Sequence, residues 1–272
     1  MILPLATIGL FSDAHYAQLV YADRHCDESL DKLSQCVAEF VARRPDFVVN
    51  LGDFIDKADR ESVELRNLDA IRRVFEGFSG EKHHVLGNHD VGTLNKETYL
   101  EGAGGAVREP FYAFDRGLLR CLILDSNCHE DGSDFAQGEF DWDNAWVSPQ
   151  QVGWLREELS DAGERPVVVF CHGNLDGRRI DGKLDPHVVR NSDEIRKILE
   201  THGNVVAVVQ GHYHPGFERV IGGIPYIGLR AMVVGSGLAN NSYGILSVYQ
   251  DGRINLRGSA MQPDHSFPAR AG

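Results

Sequence analysis

The stretch HHVLGNHDVG, His83 to Gly92, decides how the chain is read. Two apolar residues, Val85 and Leu86, run straight into Gly-Asn-His-Asp. Three polar groups in a row after a short strand are either a turn with Asn at positive φ or the floor of a site. The same layout recurs along the chain. SDAH follows LATIGLF (Leu5 to Phe11) and carries Asp13 and His15; GD follows DFVVNL and carries Asp53. CHGN follows PVVVF and carries His172, and GHYH follows VVAVVQ and carries His212 and His214. Ligand sites in α/β sheets gather beyond the carboxyl ends of strands. Five strands that end in this way converge on one crevice.

Helical periodicity links the first three strands. DESLDKLSQCVAEFVARR places Leu30, Leu33, Val37, Phe40 and Val41 at helical spacing, with Asp27 as the expected N-cap. A second helical pattern runs from about Ser62 to Phe78, and HHVLG reads as the third strand. This β-α-β-α-β rhythm predicts parallel strands with crossover helices. FYAFDRGLLRCLILDS reads as two strands across Gly117. Ser148, Pro149 and Gln151 mark a helix start with a capping box, and SDEIRKILETHG is a helix ending at Gly203. Gly222-Gly223 and Asp251-Gly252 predict hairpins. The layout predicts an α/β chain of two mixed sheets packed on each other with helices outside. A single domain is expected over residues 1–258. The remainder, 259–272, is expected to be an extended or loosely held tail, because it has little to bury.

Composition narrows the function. The 272 residues are 42% hydrophobic, enough for a sizeable core. Lys and Arg number 27 against 40 Asp and Glu, a formal net charge of −13. That balance argues against nucleic acid as a partner, which requires cationic side chains on phosphates, and against an anionic membrane surface. Five cysteines with no metal-ribbon spacing suit reduced thiols in the cytoplasm. The apolar start lacks a basic n-region and reads as a strand, and no apolar run approaches the ~20 residues of a membrane span.

The chemistry of the five motifs is consistent. Asp, Asn and His offer oxygen and imidazole ligands without thiolate, a set that suits Mn, Fe or Zn. Asp13, His15, Asp53, Asn88, His172, His212 and His214 are too many for one tetrahedral ion and natural for two divalent or trivalent ions. Asp53 is the expected bridge, one oxygen facing each ion. Two ions ~3.5–4 Å apart would clamp a phosphoryl group and acidify a water between them. They would also supply the positive potential that an acidic chain lacks. Each motif alone is most often only a turn; together, in this order and always after an apolar strand, they specify a site.

The order D-x-H, GD, GNHD, H, GHxH resembles that of the calcineurin-like metallophosphoesterases, from Asp13 to about Gly258. The resemblance implies a four-layer α/β/β/α sandwich with a two-metal site at the sheet edges. It implies one ion on Asp13, His15, Asp53 and His214, and the other on Asp53, Asn88, His172 and His212. It implies that His89 contacts phosphate and acts as a general acid, and that Asp90 orients His89. Lys57 stands in GDFIDK where protein Ser/Thr phosphatases carry Arg, and Asp56 stands where purple acid phosphatases carry Tyr. The large 5′-nucleotidases have a second domain that this length does not allow. The sequence is similar to the manganese-dependent ADP-ribose/CDP-alcohol diphosphatases in DAHYA, in R-x-x-x-x-S-L-x-x-L from Arg24 to Leu33, in PDFVVNLGDFID, and in GIPYIGLRAMV followed by YGILSVYQDGRINLRG. It departs from them at His15, where vertebrate members carry Gln, and at CHGNLDG, which replaces a proline-containing segment.

The expected function is therefore dimetal-dependent hydrolysis of a small-molecule phosphate ester or anhydride, of ADP-ribose or CDP-alcohol type. Cleavage of cyclic nucleotides or other diesters is the alternative. A non-catalytic scaffold is disfavoured because all seven ligand positions hold competent residues. Two loops are expected to meet substrate. In NLDGRRIDGKLDPHVVRN, Arg178, Arg179 and Lys183 either reach a second phosphate or are solvated charges. In NCHEDGSDFAQGEFDWDNAW, Trp142 and Trp146 either stack on a base or pack on the sheet. His83 and His84 are expected to be strand residues, not ligands.

Overall fold

The computed structural model describes residues 3–135 and 137–269. The first half runs β1 (Ala6–Phe11), α1 (Ser29–Arg43), β2 (Phe47–Asn50), α2 (Glu61–Phe75), β3 (Glu81–His84), α3 (Lys96–Ala103), β4 (Tyr112–Arg116) and β5 (Leu119–Leu124). The second half runs α4 (Pro149–Ala162), β6 (Val167–Cys171), α5 (Ser192–His202), β7 (Val205–Gln210), β8 (Phe217–Ile221), β9 (Ile224–Gly228), β10 (Ser242–Val248), β11 (Ile254–Ala260) and β12 (His265–Phe267). Among the described residues these strands form two six-stranded mixed sheets, ordered β12-β11-β10-β1-β2-β3 and β8-β9-β7-β6-β5-β4. As the periodicity predicts, β1, β2 and β3 are parallel neighbours, and β5, β6, β7 and β9 are parallel in the other sheet.

The period-2 alternation of the strands builds three layers of core. Ile8, Leu10, Phe47 and Val49 of one sheet meet Val168, Phe170, Ala207 and Val209 of the other. On the outer face of the first sheet, Val48 packs with Leu33 and Phe40 of α1 and Leu68 and Phe75 of α2. On the outer face of the second, Val167 and Val169 pack with Leu155 and Leu159 of α4 and Ile195 and Leu199 of α5. The result is the expected α/β/β/α sandwich, with the carboxyl ends of the central parallel strands at one edge.

Several local expectations change. A short 3₁₀ turn, Cys26–Glu28, precedes α1, so Glu28 rather than Asp27 holds the cap position. Ser148 caps α4 by accepting from the Gln151 N–H, but Gln151 does not reach back to complete the box. Its amide instead holds both the N–H and the C=O of Asp125 at 2.8 Å, tethering α4 to the end of β5. The third strand stops at His84; Val85 and Leu86 lie beyond it, one packing between the sheets and the other under the helices. The segment after 258 is not a loose tail: Ser259 and Ala260 complete β11, and His265–Phe267 adds an edge strand whose Phe267 plugs the inter-sheet core beside Ile254 and Leu256. Residues 270–272 of that segment, and Ala136 of the loop before α4, lie outside the described residues. All five cysteines are buried and free. Among the described residues no helix is long and apolar enough to cross a membrane.

Phe170→Ala, which empties the space between the sheets, should lower the unfolding free energy by ~3–5 kcal/mol. Ser148→Ala, which removes one cap, should cost about 1 kcal/mol. Chemical denaturation of the two variants checks this; equal small losses would contradict a shared inter-sheet core.

Candidate metal centre

The loops that leave the strands are stitched to one another before any side chain is considered. Beyond β1 and β2 the chain continues as a backbone zipper: Asp13 N–H to Gly52 O (3.0 Å), His15 N–H to Asp53 O (2.8 Å), Tyr16 N–H to Phe54 O (3.1 Å) and Asp56 N–H to Tyr16 O (3.2 Å). This path forces left-handed backbone at Asp13, His15 and Asp53, with φ of 55°, 47° and 52°; His212 has φ 69°. Non-glycine residues in this region cost ~1–3 kcal/mol each and persist where the surroundings over-determine them. Gly87 lets the loop after β3 close on the same spot. A Cβ there would lie 2.0 Å from Asp53 N and 2.2 Å from Asp53 Oδ1.

All seven expected ligands converge. On one side, His15 Nε2 lies 3.2 Å from His214 Nε2, 3.4 Å from Asp53 Oδ2 and 3.8 Å from Asp13 Oδ1. On the other, His172 Nε2 lies 3.2 Å from the same Asp53 Oδ2 and 3.1 Å from Asn88 Oδ1. Asp13, His15 and His214 present ligand atoms within 4.8 Å of one another, and so do Asp53, His172 and His212. His172 Nδ1 donates to Leu51 O at 2.8 Å, which turns Nε2 to the cluster.

The electrostatics fit cations. Burial holds His15 and His212 well below the ordinary histidine range and pushes His214 down, so their rings are neutral with lone pairs available. His172 goes the other way. Burial opposes its charge, but the Asp53 and Asp13 carboxylates outweigh it and raise its pKa to about 9. Burial likewise acts to raise Asp53, yet His172, His89 and His15 hold it well below the usual carboxylate range. Two buried carboxylates, four imidazoles and an amide oxygen thus form a donor set suited to two ions, which would release the His172 proton on binding.

His89 stands beside this cluster, but Asp90 does not orient it. Asp90 Oδ1 accepts from the Phe54 and Ile55 N–H groups (2.8 and 3.2 Å) and Oδ2 from the Gly87 N–H (3.0 Å). On this tight turn Asp90 points back into the loops, and it clamps the backbone of two motifs. The carboxylate on His89 is Asp56, whose Oδ1 accepts from Nδ1 at 2.6 Å. Asp56 also pairs with Arg24, and burial, which would raise its pKa, is overcome by His89 and Arg24, so it stays ionised. The ring of His89 meets His15 at 4.5 Å and Phe140 at 4.7 Å between centroids.

The cluster floors a cleft of about 700 Å³ whose lining also includes Tyr21, Asp23 and Arg24, with Arg24 over Tyr21, and Trp142, His187 and Tyr213, whose rings meet around His212 and His187. Arg178 and Arg179 do not line it. Arg178 is bound to Asp185 (2.8 Å) and lies over Tyr213 and Phe217, where it braces the loop. Arg179 is exposed in a short ribbon with Lys183 and Leu184, its Nη1 3.4 Å from Gly182 O. Trp146 pairs with Cys128 through the backbone, away from the cleft. His83 and His84 are structural, as expected: His83 stacks on Phe114 at 3.7 Å and His84 accepts from Asn50. The spacing of motifs did not single out Arg24, Asp56 or His187. Arg24 and Asp56 stood inside recognisable stretches, whereas His187, fixed by Asp185 at 2.7 Å, carries no pattern of its own.

Gly87→Ala should reduce the retained metal well below that of the wild type while Gly153→Ala, on an open face of α4, should not; elemental analysis after manganese loading reads the difference. Equal metal content in both variants would contradict the close packing at Asp53.

Comparison with known proteins agrees with this geometry. A profile of the calcineurin-like phosphoesterase family matches residues 6–216. A manganese-dependent ADP-ribose/CDP-alcohol diphosphatase of Xenopus tropicalis is 24% identical over 97% of this chain and 94% of its own. A glycerophosphodiester phosphodiesterase of Enterobacter lignolyticus is 27% identical over 63% of this chain and 56% of its own. The crystal structure of a dimetal phosphatase from Danio rerio has the same fold, with a TM-score of 0.84 over 98% of this chain and 99% of its own at 22% identity. The chain therefore belongs to the calcineurin-like phosphoesterase family and is a metal-dependent phosphoester hydrolase.

Proposed function

We propose that the protein cleaves the phosphoanhydride of nucleoside-diphosphate-linked small molecules, of the ADP-ribose or CDP-alcohol type. The carrying observation is the cleft: its lining brings together Arg24, the histidine–carboxylate cluster and the aromatic side chains of Tyr21, Phe140, Trp142 and Tyr213. At about 700 Å³ it has the size of a small-molecule site rather than of a protein groove. The name of the Xenopus relative, which spans nearly the same length, points to the same substrate class.

Asp13, His15, Asp53 and His214 would hold one ion, and Asp53, Asn88, His172 and His212 the other. Oxygen and imidazole donors suit manganese, in keeping with the manganese dependence in the names of relatives. When bound, the two ions polarise the phosphoryl group and acidify the attacking water. The chain's own residues do the rest. Asn88 fixes the position of a phosphoryl oxygen through its amide. Asp56 holds the His89 ring by Nδ1, so that Nε2 faces the cleft and can give a proton to the departing oxygen. Phe140 and Trp142 narrow the opening above the reacting group. Five free, buried thiols favour a reducing, cytoplasmic setting.

With Mn²⁺ present, kcat/KM should be higher for ADP-ribose and CDP-choline than for cyclic AMP and bis(p-nitrophenyl) phosphate. A cyclic AMP preference would replace the proposal with cyclic phosphodiester cleavage. His89→Ala should keep its metal and lose ~10²–10⁴ in kcat on CDP-choline. Unchanged turnover would remove His89 from the acid role.

A further inference from the structure

On the strength of the anhydride-cleaving function above, we propose that Arg24 holds the phosphoryl group that departs, so that the oxygen of water ends on the phosphate bearing the nucleoside. Among the described residues that line the cleft, Arg24 alone carries a permanent positive charge. Its side chain is only 20% exposed, and Nη2 is taken by Asp56. Its Nε is buried and has no hydrogen-bond partner. A guanidinium anchored by Asp56 in the wall of the cleft can turn its remaining Nη donors to an anion, and its planar fork matches phosphate.

Its position sets the direction of cleavage. Asp56 joins Arg24 to His89, so the arginine and the proton source lie on the same side. That side is the His15 half of the cluster, since the His89 and His15 rings meet at 4.5 Å. Ring surface on that side is met by cations, Tyr21 by Arg24 at 5.9 Å and Phe140 by Lys57 at 4.7 Å, whereas on the other half the His212 ring lies 5.6 Å from Trp142 and 5.0 Å from His187. With a phosphoryl group held by Arg24, the bridging oxygen lies on the His89 side of the attacked phosphorus, within reach of the proton on His89 Nε2. The remaining substituent on the attacked phosphorus then points to Trp142. An indole face suits a nucleobase. The step balances: the water oxygen bonds to the nucleoside-linked phosphorus, and the bond from that phosphorus to the bridging oxygen breaks. The bridging oxygen keeps the electron pair and takes a proton from His89 Nε2, and the water's proton passes to solvent.

The competing role for Arg24 is to brace Asp56 alone and so act through His89; Asp56→Asn, which breaks the same brace and keeps the guanidinium, is therefore assayed beside the arginine variants, and an equal substrate-dependent loss in it overturns the proposal. Manganese-loaded full-length enzyme is given CDP-choline in heavy-oxygen water, and both products are weighed by mass spectrometry. Label in CMP is expected; label in phosphocholine overturns the proposal. In parallel, Arg24→Gln and Arg24→Lys are assayed on CDP-choline and on bis(p-nitrophenyl) phosphate, which has no second phosphoryl group. The loss in kcat/KM should be about tenfold or more greater on CDP-choline, the size of one lost charge-assisted hydrogen bond. The lysine variant, which keeps the charge, should lose less. Equal losses on both substrates overturn the proposal. Wild-type enzyme that cleaves no anhydride would instead overturn the proposed function and this inference with it.

Discussion

One carboxylate oxygen organises this molecule. Asp53 Oδ2 lies 3.4 Å from the Nε2 of His15 and 3.2 Å from that of His172, while Oδ1 accepts from the His89 N–H at 2.8 Å. A buried carboxylate is expensive unless it is paired, and here imidazoles delivered by separate strand ends surround it. The two sheets exist, in functional terms, to bring those ends to one edge. The zipper between the loops after β1 and β2, and the closeness that only Gly87 permits, hold them there at the expense of left-handed backbone at Asp13, His15, Asp53 and His212.

The fold places the remaining groups around that centre in an unsymmetrical way. One half of the cluster adjoins His89, Asp56 and Arg24, joined through the Asp56 carboxylate, to which we assign the proton and the fixed positive charge. The other adjoins Trp142 and His187, which offer ring surface. A chain of formal net charge −13 would thereby gain positive potential at the proposed site for a phosphate-bearing ligand.

Much of this was legible in the sequence because strand periodicity and strand-end motifs are local signals. Asp13, His15, Asp53, Asn88, His172, His212 and His214 each follow an apolar run, and the topology brings them together as expected. Contacts between loops were not legible. Asp90 follows His89 in sequence, yet adjacent side chains on a tight turn diverge, and the partner came from Asp56 in the neighbouring loop. Arg178 follows His172 closely but is consumed by Asp185 and two aromatic faces. The end of the chain looked too polar to pack, yet strand pairing of Ser259, Ala260 and His265–Phe267, with Phe267 in the inter-sheet core, fastens it.

The most direct test concerns Asp53 as the shared ligand. Wild-type protein and Asp53→Ala, each shown folded by circular dichroism, are loaded with Mn²⁺, and bound metal is measured by elemental analysis and calorimetric titration. The account predicts two ions per chain in the wild type and at most one, bound more weakly, in the variant, because Asp53 Oδ2 lies between His15 Nε2 and His172 Nε2, one from each proposed ligand group. An Asp53→Ala protein that still binds two ions with wild-type affinity would contradict it.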